Sequence, residues 1–210
     1  MSKSIKKLEI LLVVITAIGK FVFMDYLDWK LGYISIAVIF WVIYALVQIK
    51  KNPERAKLWG FRKDTFKPAL RVVYPFGFFA VVTCVAIGWY NETLNFSWHI
   101  IPILIIYPIW GLIQQFLLIS LVTGNLKDMN IPRLSDIWII LITSTLFSAI
   151  HYPYFWLAFA TFFLALFYGT VFLKVRNIFV LGLFHGWLGA ICFYTIVDRD
   201  PFIEVFGKYI

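Results

Sequence analysis

The feature that most constrains this chain is a series of apolar segments, each close to the length that crosses a lipid bilayer. A helix needs about 20 mainly apolar residues to span roughly 30 Å of hydrocarbon. Seven segments approach or reach that length: about Leu8–Met24, Leu31–Ile49, Leu70–Tyr90, Trp98–Thr123, Asp136–His151, Tyr154–Val175 and Ile178–Val197. Hydrophobic residues make up 62% of the 210, far above the balance of soluble domains. The sequence therefore predicts an all-α fold, a polytopic membrane helical bundle with about seven transmembrane helices.

The distribution of positive charge predicts how this bundle is oriented. The formal net charge is +8, and most of the 19 Lys and Arg residues precede the first apolar segment or lie in the second, fourth and sixth connections. These fifteen are Lys3, Lys6, Lys7, Lys50, Lys51, Arg55, Lys57, Arg62, Lys63, Lys67, Arg71, Lys127, Arg133, Lys174 and Arg176. Basic loops stay on the cytoplasmic side, so we expect a cytoplasmic N-terminus and a C-terminus outside. The charge is thus a topology signal, and we expect membrane lipids and no nucleic acid as partners.

One substantial polar stretch, Lys50–Lys67, interrupts the apolar segments. Within it, Leu58–Arg62 is interpreted either as a turn against the membrane interface, with Trp59 and Phe61 dipping in, or as a solvated loop. We divide the chain into an N-terminal two-span hairpin with its basic cytoplasmic loop, a transmembrane core and a short tail. The boundaries are 1–57, 58–197 and 198–210. The Ile-, Lys- and Phe-rich composition favours a prokaryotic plasma membrane.

Ionisable and polar side chains inside the apolar segments are the best indication of function. His151 and His185 lie within such segments, and a bilayer keeps few ionisable groups unless they face a partner or a cavity. The adjacent pair Gln114 and Gln115 is equally costly unless both amides find partners. The alternative for all four is hydrogen bonding between helices that serves packing alone.

Two helix faces are predicted to bring these residues into the bundle. Ser144, Ser148 and His151 fall at helical spacing and form a polar stripe on one face. Gly182, Gly186 and Gly189 form a smooth face on the last segment that lets another helix approach closely, and His185 lies on the same side. The glycine face by itself indicates packing.

The polar residues occur in an order that resembles a known family. The order is Gln-Gln-Phe-Leu-Leu-Ile from Gln114, then Phe-Ser-Ala-Ile-His from Phe147, then Arg176-Asn177-Ile178 leading to His185. It resembles the CAAX protease and bacteriocin-processing (CPBP) family of intramembrane endopeptidases, which includes the type II CAAX prenyl endopeptidases. The resemblance covers about Leu58 to Val197, where Leu58–Arg62 looks like the segment that often precedes the family core.

The family pattern is Glu-Glu-x-x-x-Arg, Phe-x-x-x-His and His-x-x-x-Asn on three helices. His151 and His185 match it, whereas Gln114 and Gln115 stand in place of the two glutamates. Ile119 stands in place of the arginine, and Gly189 in place of the asparagine. In the family, a glutamate activates water for attack on a peptide carbonyl.

The resemblance implies catalytic positions at Gln114, Gln115, His151 and His185, and a binding surface at Phe147, Ser148 and Gly189. It implies a membrane-embedded or lipidated peptide as substrate or partner. An amide cannot accept the proton that a carboxylate accepts, so a neutral histidine would have to act as the base. None of the chain's acids is predicted to lie deep in the membrane, since all fall in loops or at segment ends.

Two functions from different classes follow. The first is an intramembrane endopeptidase with an altered site, in which the histidines orient water and Gln114 positions it. The second is an inactive relative that acts as a membrane binding or protective (immunity-type) protein. We expect His151 to converge with Gln114 and His185. His151 lies deeper along its helix, roughly 24 Å from Ser135, so the fifth helix must begin in the cytoplasm or tilt strongly.

No cofactor and no metal site is expected. Two histidines with amides fall short of the three protein ligands that catalytic zinc requires. A b-type haem held between His151 and His185 is a third interpretation. Cys84 and Cys192 lie in separate apolar segments and provide neither a disulfide framework nor a Cys-x-x-Cys metal pattern.

Overall fold

The computed structural model describes residues 2–132 and 134–208, and its regular elements over these residues are all helical. The part of the tail at 209–210 and the basic residue Arg133 lie outside the described residues. The α-helices are α1 (Lys3–Gly19), α2 (Lys30–Lys51), α3 (Glu54–Leu58), α4 (Phe66–Tyr90), α5 (Ile100–Gln115), α6 (Asn125–Asp128), α7 (Asp136–Ala149), α8 (Phe155–Val175), α9 (Ile178–Thr195) and α10 (Pro201–Phe206). Two π-helices, π1 (Lys20–Tyr26) and π2 (Phe116–Gly124), continue α1 and α5.

Each of the seven predicted apolar segments is helical, which confirms the all-α membrane fold. In the described part of the chain, five helical runs are long and apolar enough to cross a bilayer by themselves: Lys30–Lys51, Phe66–Tyr90, Ile100–Asp128, Phe155–Val175 and Ile178–Thr195. The other two are α1, with 17 residues before π1, and α7, with 14. At 1.5 Å per residue, α7 is only about 21 Å long and ends short of a full crossing.

Helix α9 packs directly on the backbone of α5. A Cβ atom on Gly182 would lie 2.5 Å from Leu112 Cα, and one on Gly186 would lie 2.5 Å from the backbone of Pro108. Only glycine allows this approach, because backbone atoms cannot move aside as a flexible side chain can. The predicted smooth face is therefore confirmed at both positions. Gly189 differs, since a Cβ atom there would meet only Tyr107 Cδ1 at 3.8 Å.

Within the segment Leu58–Arg62, Leu58 is exposed, but Trp59 and Gly60 are buried inside the protein. Both interpretations offered for Trp59 are therefore wrong. Its indole is only 2% exposed and packs edge-to-face on Phe116, with ring centroids 5.2 Å apart. Gly60 has a φ of +84°, a left-handed conformation that favours glycine, and its carbonyl accepts a hydrogen bond from Ile178 N at 2.9 Å. The segment thus holds the beginning of α9.

Ionic and polar contacts join several helices at one end of the bundle, which we call the basic end and define by Lys6, Glu9, Leu58, Asp128 and Arg176. Arg176 pairs with the Asp128 carboxylate, and Lys6 Nζ donates to the Asp128 carbonyl at 2.7 Å. The end at Tyr90, His99 and Thr195 is called the far end.

Glu9 is an acid whose burial was not predicted from the sequence. It is 1% exposed, and its carboxylate accepts from Tyr44 Oη and Asn125 Nδ2, both at 2.6 Å. These two bonds satisfy both carboxylate oxygens, which offsets the cost of burying the group near the basic end.

Candidate active site

A hydrogen bond between α5 and α9 forms the centre of the candidate site. Gln114, in the last turn of α5, has its Oε1 atom 2.8 Å from Nε2 of His185. An amide oxygen only accepts, so Nε2 of the imidazole must donate, and Nδ1 is left as the acceptor nitrogen. His185 is 8% exposed, and its Nδ1 is buried without a hydrogen-bond partner in the described part of the chain. The Gln114 bond therefore fixes the tautomer and leaves one lone pair unused.

His151 follows the end of α7 and has the opposite arrangement. Its Nδ1 lies 2.8 Å from the Phe147 carbonyl oxygen, one helical turn back. The carbonyl accepts, so Nδ1 donates and Nε2 becomes the acceptor nitrogen. The Phe147 ring lies against both imidazoles, with centroids 5.1 Å from His151 and 5.2 Å from His185. The structure thus brings Gln114, Phe147, His151 and His185 together.

The lengths of two helical runs explain why His151 reaches the others. An ion pair of 2.6 Å between Lys127 and Asp136 sets a common level near the end of α6 and the start of α7. Because π2 and α6 extend α5 to Asp128, Gln114 lies about 20 Å from that level. His151 lies about 22 Å from it along α7 and its terminal turn. The depth difficulty arose from ending the fourth segment at Thr123, several residues too early.

The second glutamine, Gln115, is buried but makes no side-chain hydrogen bond to the described residues like that of Gln114. Gln115 is 1% exposed, and neither of its amide atoms has a hydrogen-bond partner within the described residues. It is the last residue of α5, and π2 begins directly after it. π-helical turns are wider than α-helical turns and are frequent at functional sites. Ser144 Oγ, on α7, is also buried without a partner in residues 2–132 and 134–208.

The remaining predicted site residues make contacts that join or pack helices. Ser148 Oγ donates to the Ala158 carbonyl at 2.8 Å and so joins α7 to α8. Gly189 lies one turn beyond His185 on α9, beside Tyr107. Ile119, in the position of the family arginine, is 1% exposed within the apolar core.

One cation next to the site was not predicted to belong there. Lys20 Nζ lies 3.5 Å from the Tyr152 carbonyl oxygen, in the turn that follows His151, and forms a 2.6 Å ion pair with Asp25. The only indication in the sequence was a lysine inside an apolar segment. Because Lys20 neutralises Asp25, that carboxylate does not supply a free base to the site.

An apolar groove lies on the side of the bundle formed by α1, π1, π2 and α7. It has a volume of about 150 Å³, and its surface is almost entirely apolar. Its lining includes Ala17, Phe21, Leu118, Leu146 and Ile150. Ile150 directly precedes His151 in the chain, and His151 itself does not line the groove.

The geometry does not fit the haem interpretation. Phe147 packs on both imidazoles, and Nε2 of His185 is engaged by Gln114, so a porphyrin does not fit between the two rings. Over residues 2–132 and 134–208, no three His, Cys, Asp or Glu side chains are grouped so as to hold a metal ion.

Comparison with known proteins identifies the family. No curated protein and no solved structure matches the chain. The family model for type II CAAX prenyl endopeptidase Rce1-like proteins matches residues 78–191, more than half of the chain. The match runs from α4 to α9 and includes Gln114, His151 and His185. The chain is therefore a member of the Rce1-like family of type II CAAX prenyl endopeptidases.

Proposed function

We propose that this protein is an intramembrane endopeptidase with an altered site that cleaves membrane-embedded or lipidated peptides with activated water. The observation that carries the proposal is the pair of imidazoles gathered around Phe147. Each has one nitrogen fixed as a donor, to Gln114 or to the Phe147 carbonyl, and the other left as an acceptor. Two acceptor nitrogens in a site of low polarity suit the binding of a water molecule through its hydrogens.

In this mechanism His151 is the general base. Its Nε2 accepts a proton from water as the oxygen attacks the peptide carbonyl, a step that neither Gln114 nor Gln115 can perform. His185 orients the same water through Nδ1, and Gln114 positions His185. The unpaired amide of Gln115 donates to the oxyanion that develops on the carbonyl oxygen, an interaction that is strong where water is excluded.

The substrate proposal rests on the apolar groove that Ile150, the residue before His151, lines. An apolar chain of a membrane-embedded or lipidated peptide would lie in it and bring a peptide bond to the imidazole. We assign this activity to the core, residues 58–197, with 1–57 as a supporting hairpin. From the Ile-, Lys- and Phe-rich composition we propose a prokaryotic plasma membrane, and from the distribution of charge an N-terminus in the cytoplasm.

The second candidate is an inactive family member that binds a membrane partner or protects it. One observation favours it: no carboxylate joins the group of Gln114, Phe147, His151 and His185 within the described residues. Glu9, a buried acid, is engaged by Tyr44 and Asn125 near the basic end. Such a protein would keep the fold and the interhelical bonds while lacking proton transfer.

Quantitative mapping of new peptide N-termini in membranes separates the two. We would compare cells that carry the wild type, His151→Ala, His99→Ala or no protein. His99 is the matched control, since its imidazole lies at the far end. Cleavage products present with the wild type and His99→Ala, and absent from the other two samples, would support the peptidase. Identical N-termini in all four samples would contradict it and favour the binding function.

A further inference from the structure

The two cysteines of the chain, assigned to no framework from the sequence, lie against each other in the structure. Cys84 is on α4 and Cys192 is on α9, two helices that pack against each other, and the two thiols interact. Both are free thiols and both are partly exposed. They are the only two cysteines in the 210 residues, so any disulfide within one chain must join them.

The register of α4 against α9 supports this contact independently. A Cβ atom on Gly77 would lie 2.3 Å from Phe184 Cδ1, and one on Gly88 would lie 2.6 Å from the Thr195 carbonyl oxygen. Both close approaches pair residues that are separated by the same number of positions in the sequence. Helices α4 and α9 therefore run parallel and keep the same register from the first approach to the second. That offset brings Cys84 to the level of the residue next to Cys192. The two helices are therefore in contact on both sides of the thiol pair, through the Phe184 ring at Gly77 and backbone against backbone at Gly88.

The pair lies toward the far end of the bundle. Cys84 precedes the end of α4 at Tyr90 by six residues, and Cys192 precedes the end of α9 at Thr195 by three. At 1.5 Å per residue these are depths of about 9 Å and 5 Å. The proposed orientation places this end outside the cytoplasm, in the compartment where disulfides form and persist.

We propose that Cys84 and Cys192 are a redox modification site that closes to a disulfide across α4 and α9 by exchange with a small external disulfide. One thiolate attacks a sulfur of that disulfide and expels the first thiolate product, which gives a mixed disulfide. The other cysteine thiolate then attacks the protein sulfur and expels the second. Two protein thiols are oxidised, the external disulfide is reduced to two thiols, and the two protons pass to the products.

The closed form would fasten α4 to the helix that carries His185. The link would lie about two turns beyond His185 along α9, away from Gln114. The inference concerns the thiols alone, so it stands or fails separately from the proposed peptidase activity.

The test is thiol counting on the purified full-length protein after treatment with oxidised glutathione. Unreacted thiols are labelled with a maleimide polymer under denaturing conditions, and tryptic peptides are analysed by mass spectrometry without reduction. We expect two labels per chain to fall to none and a linked pair of peptides to appear. Dithiothreitol should restore both labels.

A control variant keeps one thiol and moves the other around α4. Cys84→Ser combined with Val82→Cys places the thiol on a more exposed face, two residues away, where it should form a mixed disulfide with glutathione and give no linked pair of peptides. Full labelling of the oxidised wild type would overturn the proposal, as would linkage between chains in place of linkage within one. An equal yield of linked peptides from the control would overturn it too, because the contact would then not determine the reaction.

Discussion

Among the described residues, Gln114 is hydrogen-bonded and its neighbour Gln115 is not, so the same substitution at the two positions should change the free energy of unfolding by different amounts. Gln114→Leu removes the partner of His185 Nε2 and leaves a buried donor unpaired, which we expect to cost about 1–3 kcal/mol in the free energy of unfolding. Gln115→Leu removes an amide that has no partner among the described residues. We expect this variant to be as stable as the wild type, or more stable. Equilibrium unfolding in detergent micelles measures both.

The proposed mechanism adds a kinetic readout to the same pair. If Gln115 donates to the oxyanion, Gln115→Leu should lower the cleavage rate by about 10²–10³-fold while its stability is retained. An equally large loss of stability in both variants would show that Gln115 is paired, which would contradict the assigned role. Full activity in a stable Gln115→Leu protein would remove Gln115 from the mechanism.

At the residue scale, the sequence could indicate which side chains matter but not how they pair. His151, His185 and the two glutamines were identifiable because ionisable and amide groups are costly inside apolar segments. The bond from Gln114 to His185 depends on the rotation of α5 against α9. Seventy residues of sequence separate these two helix positions, and helical periodicity does not fix their relative rotation. The same limitation applies to the contact of Cys84 with Cys192.

At the element scale, the α5–α9 interface makes a sharp prediction. Gly186→Ala would place a methyl group 2.5 Å from the backbone of Pro108, so the two helices would have to separate. We expect a loss of about 1–3 kcal/mol in the free energy of unfolding, the range found for overpacked cores. Gly189→Ala is the matched control on the same helix, because its methyl group would meet Tyr107 at an ordinary 3.8 Å. Comparable destabilisation by both would contradict the close approach.

The docking of α10 at the far end makes a prediction about pH. Asp200 caps α10, and its carboxylate also binds His99 at 2.5 Å and Tyr194 at 2.9 Å. Burial by itself raises the pKa of Asp200, but the hydrogen bonds from His99, Tyr194 and the Ile203 backbone together with the attraction of His99 outweigh it, and the pKa lies below its usual value. An acid with a lowered pKa stabilises the folded state above its unfolded pKa of about 3.9, and this contribution is lost as the pH falls through the folded pKa.

We therefore expect the unfolding temperature to fall on acidification below about pH 4, and Asp200→Asn to flatten that part of the profile. The amide keeps an acceptor oxygen for Tyr194 but does not titrate in this range. Thermal unfolding from pH 3 to 7 measures the effect. The neighbouring ion pair of Arg199 and Glu204 is present in both proteins, so its contribution to the pH profile is the same in each. An identical pH profile for both proteins would contradict the role of Asp200.

The helices themselves were largely predictable, and the exceptions have physical causes. Length and hydropathy located all seven segments, because the bilayer sets the length of a spanning helix. The extension of α5 through π2 to Asp128 was missed, since polar residues such as Asn125 usually end a membrane segment. Trp59 was misplaced because aromatic residues next to basic ones usually lie at the interface. Here the Leu58–Arg62 segment folds back to hold the start of α9.

At the scale of the whole molecule, the basic end and the far end gather contacts from residues far apart in sequence. Lys6, Asp128 and Arg176 meet at the basic end, and the Thr93 hydroxyl donates to the Thr195 carbonyl at 2.6 Å at the far end. Because most basic residues lie in connections on the side of the basic end, the structure and the charge distribution point to the same division of the bundle into two faces.

This division predicts which loops are accessible from each side of the membrane. In a background lacking both native cysteines, Lys57→Cys places a thiol at the basic end and Glu92→Cys places one in the loop after α4, and both positions are exposed. We expect a membrane-impermeant maleimide to label Glu92→Cys in intact cells, and Lys57→Cys only after permeabilisation, because basic loops remain in the cytoplasm. The reverse pattern would invert the orientation and place the Cys84–Cys192 pair toward the reducing cytoplasm, where exchange with external disulfides would not maintain it. Labelling of both in intact cells would contradict a helix that crosses the membrane between residues 66 and 90.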